Sequence, residues 1–241
     1  MLALFVGLVI GLVFSVLGAG GGIVSVPALL IIFSLSLADA TAAGLAVVFA
    51  AALASTVGHA RAGRVVWRTV LVLGPASMLG AVGGARLNPL VPERITAGLF
   101  ALVLLAATAS LFRARKDLPV AAPLPVLLGV GLVLGVLTGF LGVGGGFLLV
   151  PTLVGLAGLT LAQAVGTSAA LIALSSLAGG VTAMIARPHL MPLVLPLAAG
   201  AVAGAVFGVP LSGKLPERAL KFGFAGLSVA VAVGMGLKAL G

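Results

Sequence analysis

The chain has 241 residues, 62% of them hydrophobic and 7% charged; a soluble domain carries about 25% charged residues, so these charges cannot cover a water-facing surface and the apolar excess must face lipid. The net charge of +9 comes from 13 Lys+Arg against 4 Asp+Glu, but the basic residues lie in short gaps between apolar runs, the loop enrichment of a membrane protein rather than a nucleic-acid stripe. No cysteine and only two histidines are present, which excludes disulfides and thiolate metal sites and leaves no constellation for a metal, a cofactor or a catalytic centre.

The first apolar segment covers about 2–17. It lacks a basic n-region and a small-residue cleavage site, and is expected to be a membrane span rather than a signal peptide. It ends at Gly18-Ala19-Gly20-Gly21-Gly22. A shorter segment over about 23–36 carries Pro27 near its start, and a third covers about 40–58. His59, Arg61, Arg64 and Arg68 then read as a basic loop that sets topology. A fourth segment at about 69–86 and a fifth at about 95–112 follow, the fifth starting after Pro92-Glu93-Arg94.

The chain then repeats itself. Gly142-Val143-Gly144-Gly145-Gly146 and Pro151 stand 124 positions after Gly18–Gly22 and Pro27. The same offset relates Gly7 to Gly131, Gly11 to Gly135, Gly80 to Gly204, Gly84 to Gly208, and Pro92-Glu93-Arg94 to Pro216-Glu217-Arg218. An ungapped offset over this span marks a duplication, as in many transporter folds. The polar stretch from Arg113 to Pro125 separates the copies, so the domains are expected to be 1–117 and 118–241. The second copy repeats the segments at about 126–141, 147–160, 164–183, 193–210 and 219–237. The expected fold is an all-α integral membrane protein of two homologous repeats, each with four to five transmembrane segments and broken, glycine-rich helices.

Five crossings per copy would invert the second copy relative to the first. Side B then gathers Arg61, Arg64, Arg68, Arg113, Arg115, Lys116, Lys214, Arg218 and Lys221, against Arg86, Arg94, Arg187 and Lys238 on side A. This nine-to-four bias favours inverted halves with side B cytoplasmic. A re-entrant second segment would make the copies parallel, with a weaker bias of eight to five.

Isolated Gly-xxx-Gly pairs, such as Gly7/Gly11, Gly80/Gly84 and Gly200/Gly204/Gly208, suit close helix packing and a homodimer. The two glycine runs suit interrupted helices whose free N–H groups and positive dipole ends face a bound anion. Polar side chains at membrane depth are costly; Ser25, Thr138, Thr167, Ser168, Ser175 and Ser176 are the hydroxyl candidates, although each could simply bond its own helix. Asp39, matched by Gln163, is either an N-cap or a protonatable coupling group. Gly208 to Lys214 nearly spells a phosphate loop but lacks the following Ser or Thr, so nucleotide binding is set aside.

The segments Gly18-Ala-Gly-Gly-Gly-Ile-Val-Ser-Val-Pro27 and Gly142-Val-Gly-Gly-Gly-Phe-Leu-Leu-Val-Pro151, with Gln163-Ala-Val-Gly-Thr-Ser168, resemble the sulfite exporter TauE/SafE family over nearly the whole chain. The first copy departs from the last motif, with Ala42-Ala43-Gly44 opposite Gly166-Thr167-Ser168. The resemblance implies a membrane transporter for sulfite, organosulfonates or related small anions, and no enzymatic activity. Expected partners are the small anion and the lipid bilayer of the inner (plasma) membrane, with no nucleic acid and no cofactor. The expected binding residues are Gly20, Gly21, Gly22, Ser25, Gly144, Gly145, Gly146, Gln163, Thr167 and Ser168, with Asp39 for coupling. The competing expectations are a channel or carrier for a different small solute, and a structural membrane protein without transport.

Overall fold

The structure, a computed structural model, describes residues 1–17, 20–113, 123–142 and 146–212, with positions 222, 225–226 and 229–233. The described residues are helical and include no strand. In chain order the helices are α1 (Leu2–Leu17), α2 (Gly20–Ile32), α3 (Leu37–Arg61), α4 (Trp67–Leu87), α5 (Glu93–Arg113), α6 (Leu124–Leu141), α7 (Gly146–Leu156), α8 (Leu161–Ile185) and α9 (Met191–Ser212). Among them α3, α4, α6, α8 and α9 are long and apolar enough to cross a membrane. Leu71, Leu79, Ile185 and Phe207 are exposed on their outer faces, as side chains in contact with lipid would be.

Helix starts follow local chemistry. Ser36 caps α3, its Oγ accepting from Asp39 N–H at 3.1 Å. Thr160, at the repeated position, caps α8 in a full capping box with Gln163. The cap expected at Asp39 therefore belongs to Ser36, three residues earlier, and Asp39 sits in the first turn where a carboxylate favours the helix dipole. Helices α3 and α8 both contain 25 residues and start and end 124 positions apart. Helix α5 starts after Pro92, as expected.

The Gly-xxx-Gly pairs form helix seams. At Gly11 a β-carbon would overlap the Ala201 carbonyl of α9, and at Gly135 the Ser77 carbonyl of α4. Gly7 meets Leu197, and Gly204 meets Leu8 and Leu12, so the two numberings rise together and α1 runs parallel to α9. The α4–α6 seam has the same register: Gly131 meets Leu73 and Gly139 meets Ala81. Each seam joins one sequence half to the other, and the halves interleave rather than stand apart.

Helices α3 and α8 form the centre. Ala43, Leu45, Val48, Ala52, Ala169, Leu171 and Ile172 are buried there. Gly180 faces Leu45 and Ala46, whereas Gly166 faces His59. One numbering rises as the other falls, so these two repeat mates run antiparallel. Loop 62–66 therefore lies at one end of the pair and loop 186–190 at the other.

Two differences from the sequence expectation bear on the site. The glycines at 20–22 form the first turn of α2 rather than an unwound stretch. His59, expected in a loop, is in the last turn of α3 and is 1% exposed. Helix α2 has 13 residues, roughly 20 Å at 1.5 Å per residue, and it ends in a turn before α3, where Ser34 has φ 51° and Leu35 N–H donates back to the Leu29 carbonyl.

Candidate functional site

The expected binding residues fall at two levels of the α3–α8 pair rather than at one. The first level is near the start of α3. Gly44 there has no β-carbon; one would lie 3.0 Å from the Gly142 carbonyl oxygen and 3.4 Å from Ser25 Oγ. Ser25, on α2, is fully buried. Gly142 caps α6 with φ +72°, its N–H donating to the Thr138 carbonyl at 3.0 Å. That left-handed conformation suits glycine, and the missing side chain also lets the turn rest on Thr41. The C-terminal end of α6, in the second copy, thus meets α2 and α3 of the first. Gly146 opens α7, while Gly144 and Gly145 lie outside the described residues.

The second level is near the start of α8. A β-carbon on Gly166 would lie 2.7 Å from the Arg64 carbonyl oxygen and 3.1 Å from His59 Cβ. The Thr167 hydroxyl accepts a hydrogen bond from Val66 N–H at 3.0 Å. This fastens the loop after α3 onto α8. Ser168 Oγ donates to the Val165 carbonyl at 2.9 Å. The two levels are separated along α3 by roughly 20 Å, taking 1.5 Å per residue between Leu45 and His59. Ser25 and Thr167 are therefore not brought together.

Most remaining hydroxyl candidates bond their own helix. Thr138 donates to the Leu134 carbonyl and Ser175 to the Leu171 carbonyl. Ser176 is fully buried, and its hydroxyl has no partner. Gln163 Oε1 accepts from Thr160 N–H at 3.1 Å, so its carbonyl end is committed to the cap of α8.

Asp39 takes part in a contact that the sequence did not suggest. Its Oδ1 is 3.0 Å from Arg187 Nε and 3.9 Å from His189 Nε2. The pair ties the loop after α8 to the first turn of α3, at the opposite end from the Val66–Thr167 bond. Each end of the central pair thus carries one fastening between sequence halves, ionic at one end and neutral at the other. Asn88 was also missed: it is buried, and its Nδ2 donates to the Phe140 carbonyl at 2.8 Å, joining the ends of α4 and α6. A lone Asn before a proline gives no sequence signal of such a long-range bond. On the outside, Arg68, Thr69, Leu124, Leu127 and Ala157 line a cleft of about 470 Å³ between α4, α6 and the end of α7.

The family model for the sulfite exporter TauE/SafE matches residues 3–235. A probable membrane transporter protein of Haemophilus influenzae is 31% identical, over 99% of this chain and 98% of its own length. A probable membrane transporter protein of Xylella fastidiosa is 30% identical over 67% of this chain and 65% of its own. A third, from Methanocaldococcus jannaschii, is 24% identical over 91% of this chain and 89% of its own. No solved structure matches the chain. With long apolar helices packed around a central pair and a family match over nearly its full length, this chain is a multi-pass membrane transporter that belongs to the sulfite exporter TauE/SafE family.

Proposed function

We propose that this chain is a secondary transporter that carries a small sulfur-containing anion, sulfite or an organosulfonate, across the inner membrane by alternating access between inverted halves. The observation that carries this reading is the antiparallel pairing of α3 with its repeat mate α8, fastened differently at its two ends. Parallel copies would make the mates parallel. Inverted copies give each face of the membrane an equivalent set of elements, which is what alternating access requires.

Both fastenings are closed in this conformation. Parting Thr167 from Val66 would open the end that carries Arg61, Arg64 and Arg68. Parting Asp39 from Arg187 would open the other. Protonation of Asp39 would remove the charge that holds Arg187, so Asp39 could couple a proton to that opening. The donors on offer suit an oxyanion: the backbone N–H groups at the start of α2 over Gly20–Gly22, the Thr167 hydroxyl and the amide NH₂ of Gln163. Neutral donors of this kind hold an anion without a buried cation. The two levels would serve as successive stations, each nearer one face.

Uptake of radiolabelled sulfite and sulfoacetate into proteoliposomes, with and without a proton gradient, tests the reading. Saturable uptake that responds to the gradient is expected. Folded protein that moves none of these anions would reject it.

A further inference from the structure

Four buried polar atoms near the second level have no hydrogen-bond partner: Ser15 Oγ, Ser55 Oγ, and both ring nitrogens of His59. Ser15 and Ser55 are fully buried and His59 is 1% exposed. Ser55 and His59 are one turn apart on α3, on the same face. The Ser15 backbone on α1 lies beside the imidazole, but neither ring nitrogen completes a hydrogen bond. Gly208 of α9 lies against Ser15, and Gly166 of α8 against His59. Four helices therefore meet around this group.

Buried polar atoms in folded proteins are paired with protein, water or ligand. Leaving one unpaired is destabilising, because its desolvation is not repaid. Nothing in the scaffold requires the cost here, because the second half does without these groups. At the repeated positions stand Gly139, Gly179 and Ala183. There Gly139 and Gly179 pack directly on Ala81, so the three repeated positions carry no side-chain polar atom. The three polar groups are an addition to one half, placed beside Gly166-Thr167-Ser168 and under the basic loop.

We propose that Ser15, Ser55 and His59 form a hydrated binding chamber at the basic end of the transport path, one that receives the small oxyanion through three neutral donors. The assignment rests on the transport reading above and gives that path a station in the first half only. Two hydroxyls and one imidazole N–H match the oxygens of a sulfite or sulfonate group, and water takes their place when the anion leaves. The charged group acting on His59 from the packed elements is Arg64 in the loop; α1, α8 and α9 carry no ionisable side chain. An anion in the chamber would face Arg64 and no carboxylate from those elements.

The chain has no cysteine, so single replacements report cleanly. Ser15→Cys, Ser55→Cys and the buried repeat mate Ala183→Cys are reconstituted and exposed to methyl methanethiosulfonate and its anionic ethylsulfonate analogue. Sulfate and methanesulfonate serve as protecting anions, because sulfite itself attacks disulfides. The two serine positions should react at least about tenfold faster than Ala183→Cys, and several-fold slower when the anion is present. Reaction no faster than at Ala183→Cys would overturn the chamber. Wild-type flux is measured in the same vesicles: absent flux rejects the transport reading, whereas flux with thiols that no anion protects rejects this assignment alone. His59→Gln, checked for folding by thermal unfolding, should lower anion flux about tenfold, and flux equal to wild type would overturn its role as a donor.

Discussion

Arg187 Nε stands 3.0 Å from Asp39 Oδ1, so the last loop before α9 is held by the first turn of α3, in the other half of the sequence. Both side chains are partly exposed, and pairs of that kind stabilise by about 0–1 kcal/mol. Asp39→Asn and Arg187→Gln should therefore each shift unfolding by less than about 1 kcal/mol. Their effect on transport should be larger: Asp39→Asn should remove most of the response of flux to a proton gradient. Proteoliposome uptake at matched and unmatched pH measures this, and an unchanged response would exclude Asp39 as the coupling group.

The neutral fastening at the opposite end gives a second prediction. Thr167→Val removes the acceptor for Val66 N–H and should cost about 1 kcal/mol, while Thr167→Ser keeps the oxygen and most of the stability. Limited proteolysis at Arg64 should quicken in the valine variant and stay near wild type in the serine variant. Equal cleavage in both would mean that the hydroxyl does not hold the loop.

The glycine seams give a third. Gly11→Leu and Gly135→Leu place side chains where the Ala201 and Ser77 carbonyls now lie. Overpacking a core side chain typically costs about 1–3 kcal/mol; here the obstacle is backbone, which cannot step aside as a side chain does. Both variants should lose monodisperse protein on size exclusion. Gly83→Leu, with open space around its α-carbon, should elute and unfold like wild type.

The fourth concerns topology. The loops after α3 and α8 lie at opposite ends of the central pair. Cysteines at Ala62 and Ala186 should react with an impermeant thiol reagent from opposite sides of sealed vesicles. Labelling of both from one side would reject inverted halves.

Much of this was legible in the sequence because the duplication is written in glycine, proline and capping residues, whose roles are local. The extents of α3 and α8 could be placed within a few residues, since apolar runs of similar length recur at the same offset, although the cap of α3 was expected at Asp39 and stands at Ser36. The seams could be anticipated at Gly7/Gly11 and Gly80/Gly84, but their partners could not, because spacing along one helix says nothing of which helix faces it. His59 misled for a related reason. Arg61, Arg64 and Arg68 make its neighbourhood look like a solvated loop, and only the fold reveals that the helix carries on past Gly58 and turns the imidazole inward. The separation of Ser25 from Thr167 was likewise out of reach, since both follow from motif resemblance and neither motif encodes depth. Asp39 and Arg187 are 148 positions apart, and no periodicity links them.

The parallel seam between α1 and α9 has a consequence for how the protein is made. Helix α1 leaves the ribosome well before α9, yet the carbonyls that its glycines fit belong to that helix, which emerges almost 200 residues later. During synthesis that groove must stay open to lipid or be shielded by the insertion machinery. The first half synthesised alone would expose it, along with the α4 face that awaits α6. Truncated chains ending before α9 should therefore be degraded or held by chaperones rather than accumulate as a stable half-transporter, and splitting the gene between the copies should work only when both pieces are produced together.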